Sequence, residues 1–255
     1  KMIMEVNMKN IMKKDFYQIK HNRFLLISFV AILLLGIFGS SGYLVDLNSR
    51  KDAIGIFDAM VYDSTVIVIL VTIIITSIMG AEFKNRTVNN DVYIGNSRSS
   101  IFWSKIIVYM FAYNLMILVY PIAGCIRMGL SLGYDLNLYL NIEHIVKIAF
   151  FSIILNSAMY SVCVFFIFVF KDIARSLSLS IVYIFSFALL IAYGKPMGLF
   201  DKIFILNYIP IQQIRDILYA DMNGFNEIIS FVSGIMLLFF FLLLSKIIFR
   251  RQDLK

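Results

Sequence analysis

Residues 59–79 read AMVYDSTVIVILVTIIITSIM, a run in which Asp63 is the only charged residue. About 20 mostly apolar residues are enough for a helix to cross the hydrocarbon core of a bilayer. Five further stretches meet this criterion, which gives predicted spans at residues 24–45, 59–79, 106–126, 145–170, 177–193 and 228–249. The sequence therefore predicts an all-α polytopic membrane protein with six transmembrane helices, in a single transmembrane domain over residues 1–255.

The composition of the 255-residue chain supports this class. Hydrophobic residues make up 60% of it, charged residues only 15%, and its mean hydropathy is +0.85. An average soluble domain is about 25% charged, so this chain has too little polar surface to cover a water-soluble globule. A soluble enzyme and a disordered chain are both excluded.

The basic residues indicate the orientation in the membrane. Of the 23 Lys and Arg, 16 lie in the two tails, the second and fourth loops and the adjoining ends of the spans. By the positive-inside rule we expect that side, with both termini, to be cytoplasmic. The net charge of +7 is then a signal of topology, and we expect membrane lipids but no nucleic acid as partners.

The sequence lacks the residue patterns of catalytic and metal sites. Cys125 and Cys163 lie in separate predicted spans without Cys or His at ligand spacing, and His21 and His144 belong to no catalytic motif. The nucleotide-binding pattern GxxxxGK[ST] does not occur. The span centres carry no Asp, Glu, Lys or Arg, which argues against a proton-coupled pump or an ion channel. We expect a chain that is not an enzyme and holds no cofactor.

Two segments outside the spans are predicted to be helical as well. The N-terminal 23 residues alternate lysines with apolar residues at roughly helical spacing, which predicts an amphipathic helix at the membrane interface; a frayed tail is the alternative. Residues 194–227 contain two semi-apolar stretches, 199–210 and 211–219, predicted as short extracellular re-entrant or surface helices broken at Pro210. A solvated loop is the alternative there, although long structureless loops are uncommon.

The polar segment between the second and third spans is the most informative. Residues 80–105 read GAEFKNRTVNNDVYIGNSRSSIFWSK. Thr87 is predicted to cap a short helix that carries Val88, Val92 and Tyr93 on one side, and Gly95 suits a left-handed stop after it. Ser97 or Ser99 is predicted to cap the helix of the third span. A short helix there would offer a contact surface to a soluble partner.

Glu82, Thr87, the run Gly95-Asn96-Ser97-Arg98 and Lys105 together resemble the first cytoplasmic loop of ABC-2-type permeases, the membrane subunits of type-2 ABC exporters. The resemblance implies that this loop forms a coupling helix seated in a groove of a cytoplasmic ABC ATPase. The residues that it assigns to coupling are Glu82, Thr87, Val88, Asn89, Asp91, Val92, Tyr93, Gly95 and Arg98. A helix that only anchors the hairpin is the alternative.

The same resemblance implies the other components of an ABC transporter and its location. They are two ATPase copies that bind ATP and Mg²⁺, a second permease chain in a homo- or heterodimer, and a bacterial plasma membrane around them. Small six-span permeases of this kind resemble exporters of cytolytic peptides, such as the phenol-soluble modulin exporter, and transporters that give immunity to lantibiotics.

Uncharged polar residues within the spans are candidates for the transport pathway. They are Tyr62, Thr65, Thr72, Asn114, Asn156, Ser157 and Tyr160, although such residues more often join helices than bind cargo. A transport pathway lined without charges favours an amphipathic or hydrophobic cargo. The leading expectation is a peptide toxin or bacteriocin. An ABC-type drug or lantibiotic-immunity transporter subunit, an ATP-independent pore and a membrane scaffold remain as alternatives.

Overall fold

The computed structural model describes residues 2–44, 52–132, 138–219 and 224–251. Within these ranges there is no β-strand. The helices are α1 (Met2–His21), α2 (Arg23–Gly39), α3 (Ala53–Tyr62), α4 (Thr65–Lys84), α5 (Thr87–Tyr93), α6 (Arg98–Leu132), α7 (Leu138–Phe170), α8 (Ile173–Leu189), α9 (Leu199–Lys202), α10 (Pro210–Tyr219) and α11 (Gly224–Arg251). A 3₁₀ turn at Ser40–Leu44 extends α2, and a π-helical turn at Leu190–Gly194 extends α8.

Six helices are long and apolar enough to cross a membrane, which confirms the predicted all-α polytopic class. These candidate spans are Arg23–Tyr43, Thr65–Lys84, Arg98–Leu132, Ile142–Phe170, Ile173–Gly194 and Asn226–Arg251. Val45, the predicted end of the first span, lies outside the described residues.

The largest boundary error concerns the second span. Its predicted start at Ala59 is wrong, because Asp63 and Ser64 separate α3 from α4. Residues 59–62 therefore belong to the preceding short helix. The third predicted span, 106–126, lies within α6, which has 35 residues. At a length of about 52 Å, α6 extends beyond a hydrocarbon core of about 30 Å.

The six long helices form an inner and an outer set. In the most apolar 18 residues of α7, 67% are buried, and in α4 and α6 about half, whereas in α8 and α11 the share is 22%. The outer helix α2 packs on α6, α8 packs on α4 and α7, and α11 packs on α7. The outer helices therefore present apolar faces that a bilayer or a second protein chain must cover.

Small residues allow α2, α3 and α6 to approach closely around Pro121, which lies inside α6. A Cβ atom added to Gly36 would lie 2.5 Å from the Tyr120 carbonyl oxygen, and one added to Gly124 would lie 2.2 Å from the Met60 sulfur. Close approach through glycine is typical of helix contacts within membranes.

The two ends of the bundle differ. One end contains α1, α5, the first turns of α6 and the last turns of α11; we call it the basic end. At the opposite end, α10 packs on α7 and on α3, and the His144 Nε2 atom of α7 lies 2.8 Å from Asp58 Oδ1 of α3. Pro210 starts α10 as predicted, but residues 199–209 form only the four-residue α9 and a 3₁₀ turn. Residues 220–223, within the predicted extracellular segment 194–227, lie outside the described residues.

Candidate coupling site

The segment between α4 and α6 folds into a compact turn–helix–turn at the basic end. The predicted cap at Thr87 is wrong: Arg86, with φ of 56°, occupies the cap position, and the Thr87 hydroxyl donates 2.9 Å to the Glu82 carbonyl oxygen. Gly95 does stop the helix in the left-handed region, at φ of 93°. Ser97 caps α6, since its side-chain oxygen accepts from the Ser100 amide at 3.1 Å.

One face of the short helix α5 packs against the bundle, and the opposite face is exposed. Val88 is fully buried, and Asn89 and Asp91 are buried as well. Tyr93 is 75% exposed and Ile94 is 78% exposed, so the prediction that Tyr93 shares a side with Val88 is wrong. Val92 lies between these two environments. Two adjacent large apolar side chains therefore project from the tip of the loop.

A buried ionic cluster ties the base of this loop to the rest of the basic end. Lys105 of α6, 1% exposed, contacts Glu82 Oε2 of α4 and lies 3.4 Å from Asp15 Oδ1 of α1. Glu82 Oε1 accepts from the Tyr109 hydroxyl at 2.7 Å, and Asp15 Oδ2 accepts from the Ser104 hydroxyl at 2.8 Å. Each buried charge thus has an opposite charge and a hydroxyl or second charge beside it, which is the condition under which such groups are tolerated away from water.

A second ion pair connects α5 directly to α1. The Lys14 ammonium group donates to both carboxylate oxygens of Asp91, and it also lies 3.7 Å from Asp15. The side chain of Asp91 is only 8% exposed. Displacement of α5 would therefore act on α1 as well as on the two spans that flank α5.

Arg98 joins the start of α6 to the end of α11. Its guanidinium group donates 3.1 Å to the carbonyl oxygen of Arg250 and 3.4 Å to that of Phe249. A cation at this place also complements the negative end of the helix dipole of α11. Beneath it, four phenylalanine rings from α4, α6, α7 and α11 pack against one another with centroids 5.0–6.5 Å apart; they are Phe83, Phe102, Phe168 and Phe249.

A cavity of about 440 Å³ opens beside the cluster. Its walls come from the end of α1, the start of α2, the end of α4, the start of α5 and one residue of α6, and they include Glu82, Tyr109, Asn22 and Thr87. The cavity thus separates the α1–α2 junction from the polar segment between α4 and α6.

The predicted pathway residues lie at contacts between helices of this one chain. Thr72, Asn114, Asn156, Ser157 and Tyr160 are buried. The Asn114 amide donates 2.7 Å to the Ser157 hydroxyl, and the ring of Tyr160 stacks on Tyr113, whose hydroxyl lies 3.3 Å from that of Thr72.

The two remaining candidates, Tyr62 and Thr65, both contact Arg215 of α10 at the opposite end. Asn156 of α7 borders the same small recess as Tyr62 and Thr65.

Sequence reasoning missed Asp15, Lys14 and Tyr109. A usable signal existed for Asp15, because Ile11, Asp15 and Ile19 follow one another at intervals of four on the buried face of α1. An acidic residue on the apolar stripe of a lysine-rich helix needs a buried cation, and Lys105 is that cation.

The fold and this site define a polytopic membrane protein whose polar segment between two spans is held against an N-terminal helix by buried charges. A family model described as ABC-2 family transporter protein matches residues 11–187, more than two thirds of the chain. The chain belongs to this family. It is accordingly a membrane transport subunit of an ABC transporter, is not itself catalytic, and works with an ABC ATPase subunit. A comparison with curated proteins gave no match.

Proposed function

We propose that this chain is the permease subunit of an ABC exporter that moves an amphipathic or hydrophobic cargo, a peptide toxin or bacteriocin, out of a bacterial cell. In this proposal the basic end faces the cytoplasm, in agreement with the charge distribution. A separate ATPase, in two copies, binds ATP and Mg²⁺. Residues 1–255 act as one transmembrane domain, which is supported by the packing of α11 on α7 beyond the family match.

The observation that carries the proposal is the geometry of α5. Its exposed tip offers Tyr93 and Ile94 as anchors for an apolar groove on the ATPase, with Gly95 allowing close approach of the backbone. Buried aromatic and aliphatic anchors dominate the binding energy of protein interfaces. The inward-facing residues of the predicted coupling set, Val88, Asn89 and Asp91, then hold the helix in place and do not touch the partner.

Transmission of movement rests on the polar contacts at the base of α5. When ATP binding closes the ATPase dimer, α5 would be displaced and would carry α4 through the Thr87–Glu82 contact and α1 through Asp91–Lys14. Arg98 would extend the movement to α11. Rigid helices joined by such contacts shift as bodies between discrete arrangements, which suits alternation between inward- and outward-open states.

We base the proposed position of the pathway on which helix faces are buried within one chain. The polar residues between α4, α6 and α7 are internal to one chain, whereas α2, α8 and α11 present exposed apolar faces. We therefore place the pathway between two permease chains, in a homo- or heterodimer. Residues 24–39 of α2, 176–189 of α8 and 228–245 of α11, which form these faces, include no charged residue, and an uncharged environment favours an amphipathic cargo over an ion.

Co-purification with the ATPase tests the assignment of α5. Tyr93→Ala combined with Ile94→Ser should reduce the amount of ATPase retained by the permease at least tenfold, since each buried apolar side chain contributes about 1.5–3 kcal/mol. The matched control removes an exposed tyrosine and isoleucine from the opposite end, Tyr193→Ala with Ile205→Ser. Equal retention by both variants would contradict the role of α5.

Reconstitution tests the transport activity. Liposomes that contain permease and ATPase should accumulate a fluorescent amphipathic peptide only with ATP and Mg²⁺. Conductance from the permease alone would identify an ATP-independent pore, and ATPase binding without peptide-stimulated hydrolysis would identify a scaffold; either result would overturn the exporter proposal.

A further inference from the structure

A second cavity, of about 300 Å³, lies between α1, α2 and α6. We call it the α1 groove. Its floor is formed by the buried residues Val108, Ala112 and Met116 of α6. Its walls come from α1 and α2 and from the outer side of α6, and its lining is apolar except for one residue, Lys20.

The groove is open toward the outside of the chain. Phe111 and Leu26, which line it, are about half exposed, and Phe16 of α1 reaches over it to meet the Phe111 ring edge-on at 5.7 Å. In a membrane an apolar recess of this kind is in contact with lipid tails.

Two lysines lie along the rim of the groove. Lys13, Phe16 and Lys20 are spaced three and four residues apart and so share one stripe of α1, and the side chains of both lysines are exposed. Neither lysine forms an ion pair with any side chain that the structure describes. The stripe therefore combines an aromatic ring over an apolar recess with two cations beside it.

We propose that the α1 groove binds one anionic phospholipid of the surrounding bilayer, with an acyl chain on Val108, Ala112 and Met116 and the phosphate beside Lys13 and Lys20. Any lipid tail could fill the recess, because lipid tails and the groove are equally apolar. The selection must then come from the headgroup. Each lysine near an anionic lipid surface favours binding about fivefold, so the pair predicts a preference of about fivefold to twenty-five-fold over a zwitterionic lipid.

This site would stabilise the buried ionic cluster of Asp15, Glu82 and Lys105, which we call the coupling cluster. The face of α1 next to the groove stripe carries Ile19 and Asp15, and Asp15 contacts Lys105, while Lys14 holds Asp91. A lipid that fixes the groove side of α1 would also fix these ion pairs. The proposal goes beyond ATP-driven transport and holds whichever cargo is moved.

Fluorescence quenching by brominated lipids tests the site. The only tryptophan of the chain, Trp103, is replaced by phenylalanine, and Phe111→Trp places a reporter in the groove wall. In nanodiscs that contain increasing fractions of brominated lipid, brominated phosphatidylglycerol should half-quench this reporter at several times lower mole fraction than brominated phosphatidylcholine. Lys13→Gln with Lys20→Gln should abolish the difference.

The matched control removes two exposed cations at the same end but away from the groove, Arg175→Gln with Arg251→Gln, and should keep the preference. Equal quenching by both lipids in the reporter protein with its lysines intact would overturn the proposal, as would a preference unaffected by loss of Lys13 and Lys20. Amide hydrogen exchange over residues 9–21 should be slower in phosphatidylglycerol discs; unchanged exchange would refute the link to the coupling cluster.

Discussion

Replacement of Lys105 by methionine should destabilise the protein strongly. Methionine retains most of the side-chain volume but removes the cation that compensates Asp15 and Glu82, and both lysine and Asp15 are 1% exposed. Breaking a buried ion pair by removing one partner costs about 3–5 kcal/mol. For a domain of this size such a loss corresponds to a fall of roughly 6–20 °C in the apparent thermal midpoint.

The assay is thermal unfolding in detergent, followed by the fluorescence of Trp103. This tryptophan lies next to Phe102 and beneath the Lys246 ammonium group, 5.2 Å from its ring, so it reports on the same end of the bundle. The control is Lys195→Met, because the Lys195–Asp216 pair is exposed, at 3.5 Å, and exposed pairs contribute about 0–1 kcal/mol.

A neutral version of the cluster separates lost charge compensation from lost packing. Lys105→Met combined with Asp15→Asn and Glu82→Gln leaves no buried charge uncompensated. This triple variant should therefore recover most of the fall in thermal midpoint that Lys105→Met causes alone. A fall below 2 °C in Lys105→Met, or a triple variant less stable than the single one, would refute the view that these charges compensate one another away from water.

Two further predictions concern helix contacts. Gly36→Ala should lower the thermal midpoint by roughly 2–12 °C, since its Cβ would lie 2.5 Å from the Tyr120 carbonyl oxygen and overpacking costs about 1–3 kcal/mol. The control is Gly42→Ala, which should change the midpoint little because a Cβ there would have nothing within 4 Å. Equal effects of the two substitutions would contradict the close contact at Gly36. In a double-mutant cycle, Lys14→Gln and Asp91→Asn should be non-additive by about 1 kcal/mol, or roughly 2–4 °C, whereas strict additivity would show that the pair does not interact.

The sequence by itself determined the class of the protein and the place of the short helix between its second and third spans. Runs of apolar residues identify spans because a bilayer leaves the backbone no alternative to a helix, and Gly95 and Ser97 mark the end of one helix and the start of the next because local backbone geometry requires those residue types. These are short-range or compositional effects, so they can be read without knowledge of any distant contact.

Only the tertiary structure decided what the polar residues of the basic end do. Asp15, Glu82 and Lys105 come from three helices, and Lys14 meets Asp91 across 77 positions of the chain. The inward turn of Val88 and the exposure of Tyr93 likewise depend on how α5 rests on the bundle. Local spacing can place Asp15 on the buried face of α1, but it cannot name the partner of a charge or the side of α5 that is buried, because both depend on which distant helix packs there.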